Sequence, residues 1–160
     1  MSEVVIADAT QMRNLGHLVA QQLIDGDVVV LTGPLGAGKT TFSQGIGAGL
    51  GIDELITSPT FVVARTHSAG TRALGLMHVD AYRLNSADDL IDLDIDSDSP
   101  HITVIEWGEN FVEKVTDSWL AVTIARSSTD GSDAAEAGER VVTLVPNGSR
   151  WQGRTLEVSL

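Results

Sequence analysis

The residues with the most chemical content lie in one run, Gly33-Pro34-Leu35-Gly36-Ala37-Gly38-Lys39-Thr40. It fits the pattern G-x-x-x-x-G-K-[ST] at each fixed position. Glycines there let the backbone aim successive N–H groups at phosphate oxygens. A helix opening at Lys39 adds the positive end of its dipole. The Lys39 ammonium reaches the β- and γ-phosphates, and the Thr40 hydroxyl, with Thr41 beside it, offers an oxygen to Mg²⁺. The chemistry implied is nucleotide-phosphate binding.

Such a loop needs an acidic residue at the end of a neighbouring strand to hold or orient the metal. Asp80 ends the run Leu74–Val79, and Glu106 ends the run Ile102–Ile105. Each is either a group at the metal or a strand-end carboxylate facing solvent. Ser58 and Thr60, in Thr57-Ser58-Pro59-Thr60-Phe61, carry hydroxyls that could sense a γ-phosphate. The same residues also suit a plain turn. His78 shares a strand face with Asp80 by the period of two. It reads better as a packed, hydrogen-bonded histidine than as a base. Arg83 supplies charge to a phosphoryl group or pairs with an acid. Trp107 stacks on a base or a partner, or packs at a rim. His17, His67 and His101 have no metal-ligand spacing.

These groups need a scaffold, and its pattern is legible. A short strand at 4–7 precedes a helix from about Gln11 to Ile24, capped by Asp8 or Thr10, with Met12, Leu15, Val19 and Leu23 on one face. Residues 28–32 are apolar and β-branched, as in a parallel strand buried on both faces. The helix after the loop runs from Lys39 to about Leu50. Residues 61–67 and 74–79 predict a hairpin, so the sheet is mixed. A short acidic helix from Ser86 to about Leu93, a strand at 102–105, a short helix near 110–115 and late strands at 119–125 and 140–145 follow. The expectation is a single α/β domain over 1–160, with a mixed, mostly parallel central sheet flanked by helices and with late antiparallel strands. Residues 127–139 hold four acidic residues and no large apolar side chain, which predicts a mobile loop. Residues from about 150 to 160 read as a solvated C-terminal tail carrying Arg150, Trp151 and Arg154.

Composition excludes several classes. Ten Lys and Arg stand against 22 Asp and Glu, a formal charge of −12. That argues against gripping nucleic acid or an anionic membrane by charge alone. The absence of Cys excludes disulfides, zinc–thiolate sites and a cysteine nucleophile. The N-terminal residues lack the marks of a secretory signal, and no apolar run approaches a membrane span, so a cytoplasmic protein is expected.

Four motifs in order, GPLGAGKTTF at 33–42, SPTF at 58–61, HVDAYRL at 78–84 and IEWGE at 105–109, resemble the TsaE (YjeE) family. The resemblance spans about residues 12–125. It implies a small ATPase of the same loop class, with ATP and Mg²⁺ as cofactors. It also implies a role in forming threonylcarbamoyladenosine (t6A) at adenosine 37 of ANN-decoding tRNAs. The implied partners are a TsaB–TsaD pair, with TsaD carrying the transfer and ATP turnover resetting the complex. tRNA would be met only through them. On the same resemblance, 58–61 is a switch loop, including Ser58, Pro59, Thr60 and Phe61. Asp80 positions Mg²⁺ or the attacking water, Glu106 coordinates Mg²⁺, and Trp107 lies near the nucleotide. Two departures stand out. Residue 108 is Gly where some members have Pro, and 127–139 is longer and more acidic than the family's late hairpin requires. No Gln can be assigned as the water-orienting group, which predicts weak hydrolysis by the isolated chain. A small-molecule kinase and a non-catalytic nucleotide-sensing adaptor are the competing readings.

Overall fold

A computed structural model describes residues 1–60, 63–84, 86, 88–89, 99–126 and 138–160. The Ser86–Leu93 helix and the 127–139 loop fall largely outside the described residues, as does Phe61. The strands are β1 (Ser2–Ile6), β2 (Val28–Thr32), β3 (Ala64–His67), β4 (Gly75–Asp80), β5 (His101–Glu106), β6 (Trp119–Arg126) and β7 (Arg140–Asn147). The helices are α1 (Ala9–Ala20), α2 (Lys39–Gly49) and the short α3 (Val112–Val115).

The strands form one sheet in the order β1-β7-β6-β2-β5-β4-β3. Its centre, β6-β2-β5-β4, is parallel. Antiparallel pairs close both edges: β3 on β4, and β7 between β6 and β1. The mixed sheet inferred from the hairpin pattern is therefore present. Burial on both faces explains the continuous apolar runs of the centre. Val29 and Leu31 of β2 join Leu76, Ile102, Val104, Leu120 and Val122 in a core beneath α1 and α2. On the other face Met77, Val79 and Ile105 pack with Val28, Phe111 and Val115, around α3.

Asp8 caps α1, its carboxylate accepting from the Gln11 N–H at 2.9 Å. Gln11 reaches back to accept from the Ala7 N–H at 2.8 Å, a reciprocal box that fixes where the helix starts. The helix stops at Ala20, earlier than the periodicity suggests. Leu23 continues the buried face from a turn.

Helices α1 and α2 approach closely through glycine. A Cβ on Gly16 would lie 2.3 Å from the Phe42 carbonyl oxygen, and one on Gly45 2.2 Å from that of Arg13. Gly45→Ala is expected to destabilise the protein by about 1–3 kcal/mol through this backbone clash. Helix preference alone would favour Ala by about 1 kcal/mol. Urea unfolding of the single variant decides the sign.

The C-terminal segment is not the solvated tail expected from its composition. Trp151 is buried, and the Arg154 guanidinium sits 4.1 Å from its ring centroid. Arg154 also forks onto the buried Asp27 carboxylate at 3.0 and 2.7 Å, and Arg150 donates to the Asp25 carbonyl at 2.7 Å. Asp27 immediately precedes β2. A carboxylate buried at a strand start needs paired donors, and this segment supplies them.

Candidate functional site

The C-terminal ends of β2, β4 and β5 point to one edge of the sheet, where ligands of open α/β sheets bind. The loop 33–40 leaves β2 there and opens directly into α2. Gly38 caps that helix at φ 112° and ψ 17°, a left-handed conformation that a side chain would strain. Gly33 has no room for a side chain either, because a Cβ would lie 2.5 Å from the Ile124 carbonyl oxygen of β6.

Strands β4 and β5 are adjacent, parallel and in register, so Asp80 stands directly opposite Glu106. Both carboxylates are buried. Leu35, Gly36, Gly38, Lys39, Thr40, Thr41, Ser58, Thr60, Asp80, Tyr82, Glu106 and Trp107 line one cleft of about 480 Å³. Nearly every expected site residue is among them. Gly33 and Pro34 do not line it; their carbonyls accept from Lys39 Nζ at 2.7 and 3.0 Å. Ala37 faces a second cavity. The Ser58 and Thr60 hydroxyls lie 2.6 Å apart.

Asp80 also shapes its surroundings. Its Oδ1 accepts from the Tyr82 N–H at 3.0 Å, starting the tight turn Ala81–Arg83. That turn carries Tyr82 back to the cleft, 5.4 Å from the Trp107 ring. Trp107 adopts φ 61°, rare for a bulky side chain, and lies 4.1 Å from Lys39 Nζ. The next residue must be small, since a Cβ on Gly108 would lie 2.6 Å from Ile105 Cγ2. Ile105 packing thus accounts for glycine at this position.

Burial lowers the Lys39 pKa from its ordinary 10.5, against the opposing attraction of Glu106, Asp80 and Glu109. The sign for stability follows. Between the folded value and 10.5 the unfolded chain binds more protons, so stability rises with pH there. Below the folded value both states are charged and this slope vanishes. The rise is expected to be absent from Lys39→Met, which urea unfolding of both proteins across the alkaline range would read.

Two features escaped the sequence reading. Glu109, held by the Thr32 hydroxyl at 3.1 Å, adds to the negative field around Lys39. It lies within the 105–109 motif, so the signal was present. The second cavity, about 430 Å³, is lined by Asp8, Ala9, Met12, Ala37 and Arg140 among others. It forms only because the start of α1 and β7 lie beside the loop. Gly36, Gly38 and Thr41 border both cavities.

The description "Threonylcarbamoyl adenosine biosynthesis protein TsaE" belongs to a family model that matches residues 6–135. A Streptomyces coelicolor protein named tRNA threonylcarbamoyladenosine biosynthesis protein TsaE is 46% identical over 151 residues, 93% of this chain and 98% of that protein. A Bacillus subtilis protein of the same name is 32% identical over 149 residues, 93% of this chain and 88% of its own length. Among solved structures, the crystal structure of Bacillus subtilis YdiB superposes with a TM-score of 0.72 at 28% identity. It covers 94% of this chain and 88% of that one.

Proposed function

Because this chain belongs to the TsaE family, we propose that it is an Mg²⁺-dependent ATP-binding and hydrolysing subunit that supports t6A modification of tRNA. The observation that carries the nucleotide reading is the convergence of Lys39, Thr40, Asp80 and Glu106 from three elements on one cleft. Phosphates would lie along the loop, with the terminal one toward Asp80 and Glu106. The nucleoside would turn into the second cavity, because the loop glycines border both spaces.

The donors fit Mg²⁺. The Thr40 hydroxyl and the Asp80 and Glu106 carboxylates are hard oxygen groups in the same cleft. Among the described residues, no group of three or more His, Cys, Asp or Glu could hold a metal alone. That suits an ion bound by one or two carboxylates together with substrate phosphates. When bound, the ion would neutralise charge on the β- and γ-phosphate oxygens. Lys39 would exchange the Gly33 and Pro34 carbonyls for phosphate oxygens. Asp80 would orient the attacking water. Ser58 and Thr60 would report the γ-phosphate to a partner surface.

The proposed partners are a TsaB–TsaD pair, and a cytoplasmic setting goes with them. The charge of −12 leaves tRNA contact to those partners. Among the described residues, no helix is long and apolar enough to cross a membrane. The isolated chain is expected to hydrolyse ATP slowly, and the pair to accelerate it several-fold or more by completing the site. Phosphate release with and without the partners tests this. Strong turnover by the chain alone would count against it. Calorimetric titration of the pair, with and without ATP and Mg²⁺, tests assembly. ATP binding without association under any condition would mean that the partner is wrongly identified.

A further inference from the structure

His78 is a buried group that the proposed chemistry does not use. It sits in the middle of β4, fully buried, on a strand whose residues are all buried. Burying an imidazole there is unfavourable unless it is hydrogen-bonded. Its Nε2 lies 2.8 Å from Glu106 Oε1, and that carboxylate is itself buried. Among the described residues, its Nδ1 has no hydrogen-bond partner. This asymmetry decides the tautomer. A hydrogen on Nδ1 would be buried without an acceptor, so the hydrogen is on Nε2 and Glu106 accepts it. The register explains the reach. His78 pairs with Val104 and Asp80 with Glu106, so His78 and Glu106 are diagonal neighbours on one face.

We propose that His78 is a positioning residue that holds Glu106 Oε1 and thereby presents Oε2 for the metal at the nucleotide cleft. The proposal rests on the reading of Glu106 as an Mg²⁺ ligand. Side chains that hydrogen-bond to a ligating carboxylate fix its orientation, and losing one typically costs about 10–100-fold in metal affinity. His78 does not itself touch the cleft, which it does not line. Its effect is confined to the carboxylate that does.

The test compares two replacements that fill the same space. His78→Gln keeps an N–H near the Nε2 position, whereas His78→Leu removes it. Each is titrated with a non-hydrolysable ATP analogue, once with MgCl₂ and once with EDTA. The ratio of the two affinities is the readout, because a general loss of structure would lower both. His78→Leu is expected to lower that ratio about tenfold, with the EDTA affinity unchanged. His78→Gln is expected to stay within about threefold of wild type on the same scale. Equal ratios for the two variants would overturn the proposal. Glu106→Gln is the control for its premise. If that variant keeps the full Mg²⁺ effect, the metal assignment of Glu106 fails. If Glu106→Gln loses the effect and His78→Leu keeps it, only the positioning role fails.

Discussion

Lys39→Ala is expected to weaken ATP binding about 100-fold. In the proposed site the Lys39 ammonium is the cation that would meet the phosphates. Charge-assisted hydrogen bonds contribute about 1.5–3 kcal/mol each. Loss of about 3 kcal/mol corresponds to roughly two decades of affinity. The loop itself should survive the change. Gly33 against Ile124 and the left-handed Gly38 remain to shape it, although the Lys39 hydrogen bonds to the Gly33 and Pro34 carbonyls are lost. The variant also leaves Trp107 without the cation now 4.1 Å from its ring. Calorimetric titration with ATP and Mg²⁺ checks the magnitude. An affinity within about threefold of wild type would mean that the phosphates bind elsewhere.

Asp80→Asn is expected to lower partner-stimulated hydrolysis by about 10²–10⁴-fold, the range for loss of a positioned proton acceptor. ATP affinity should change much less. Asn keeps the carbonyl oxygen that accepts from the Tyr82 N–H, so the turn after β4 and the placement of Tyr82 are retained. What is lost is the charge and the second acceptor oxygen. The readout is phosphate release at saturating ATP, alongside the affinity. A variant that binds and hydrolyses as wild type would remove Asp80 from the chemistry and leave the water to another group. If t6A forms through many turnovers while hydrolysis by this variant is abolished, the adaptor reading is the correct one.

The parts of this site that were legible in the sequence are those built from local chain. The loop 33–40 declares itself because glycine, lysine and hydroxyl must occur at fixed spacing between a strand and a helix. The strand-end positions of Asp80 and Glu106 are legible because strand ends can be read from apolar runs. Their apposition could not be found, because it requires β4 and β5 to be neighbours in a particular register. The His78–Glu106 bond, spanning 28 residues, was hidden for the same reason. The second cavity depends on β7 inserting between β1 and β6, and no local pattern encodes that order. Composition misled at the C-terminus. A stretch rich in polar residues suggested solvent, but its arginines answer the buried Asp27 far back in the chain. The glycines of α1 and α2 carried no signal until two helix backbones were seen in contact.

The most direct measurement is t6A formed per equivalent of the TsaB–TsaD pair in a reconstituted reaction with tRNA, ATP and Mg²⁺. Wild-type protein is expected to carry the reaction through many equivalents. Lys39→Ala, folded and present at the same concentration, is expected to leave it near the yield obtained without this protein. Multiple turnovers sustained equally by Lys39→Ala would contradict the claim that nucleotide bound at this loop drives the function.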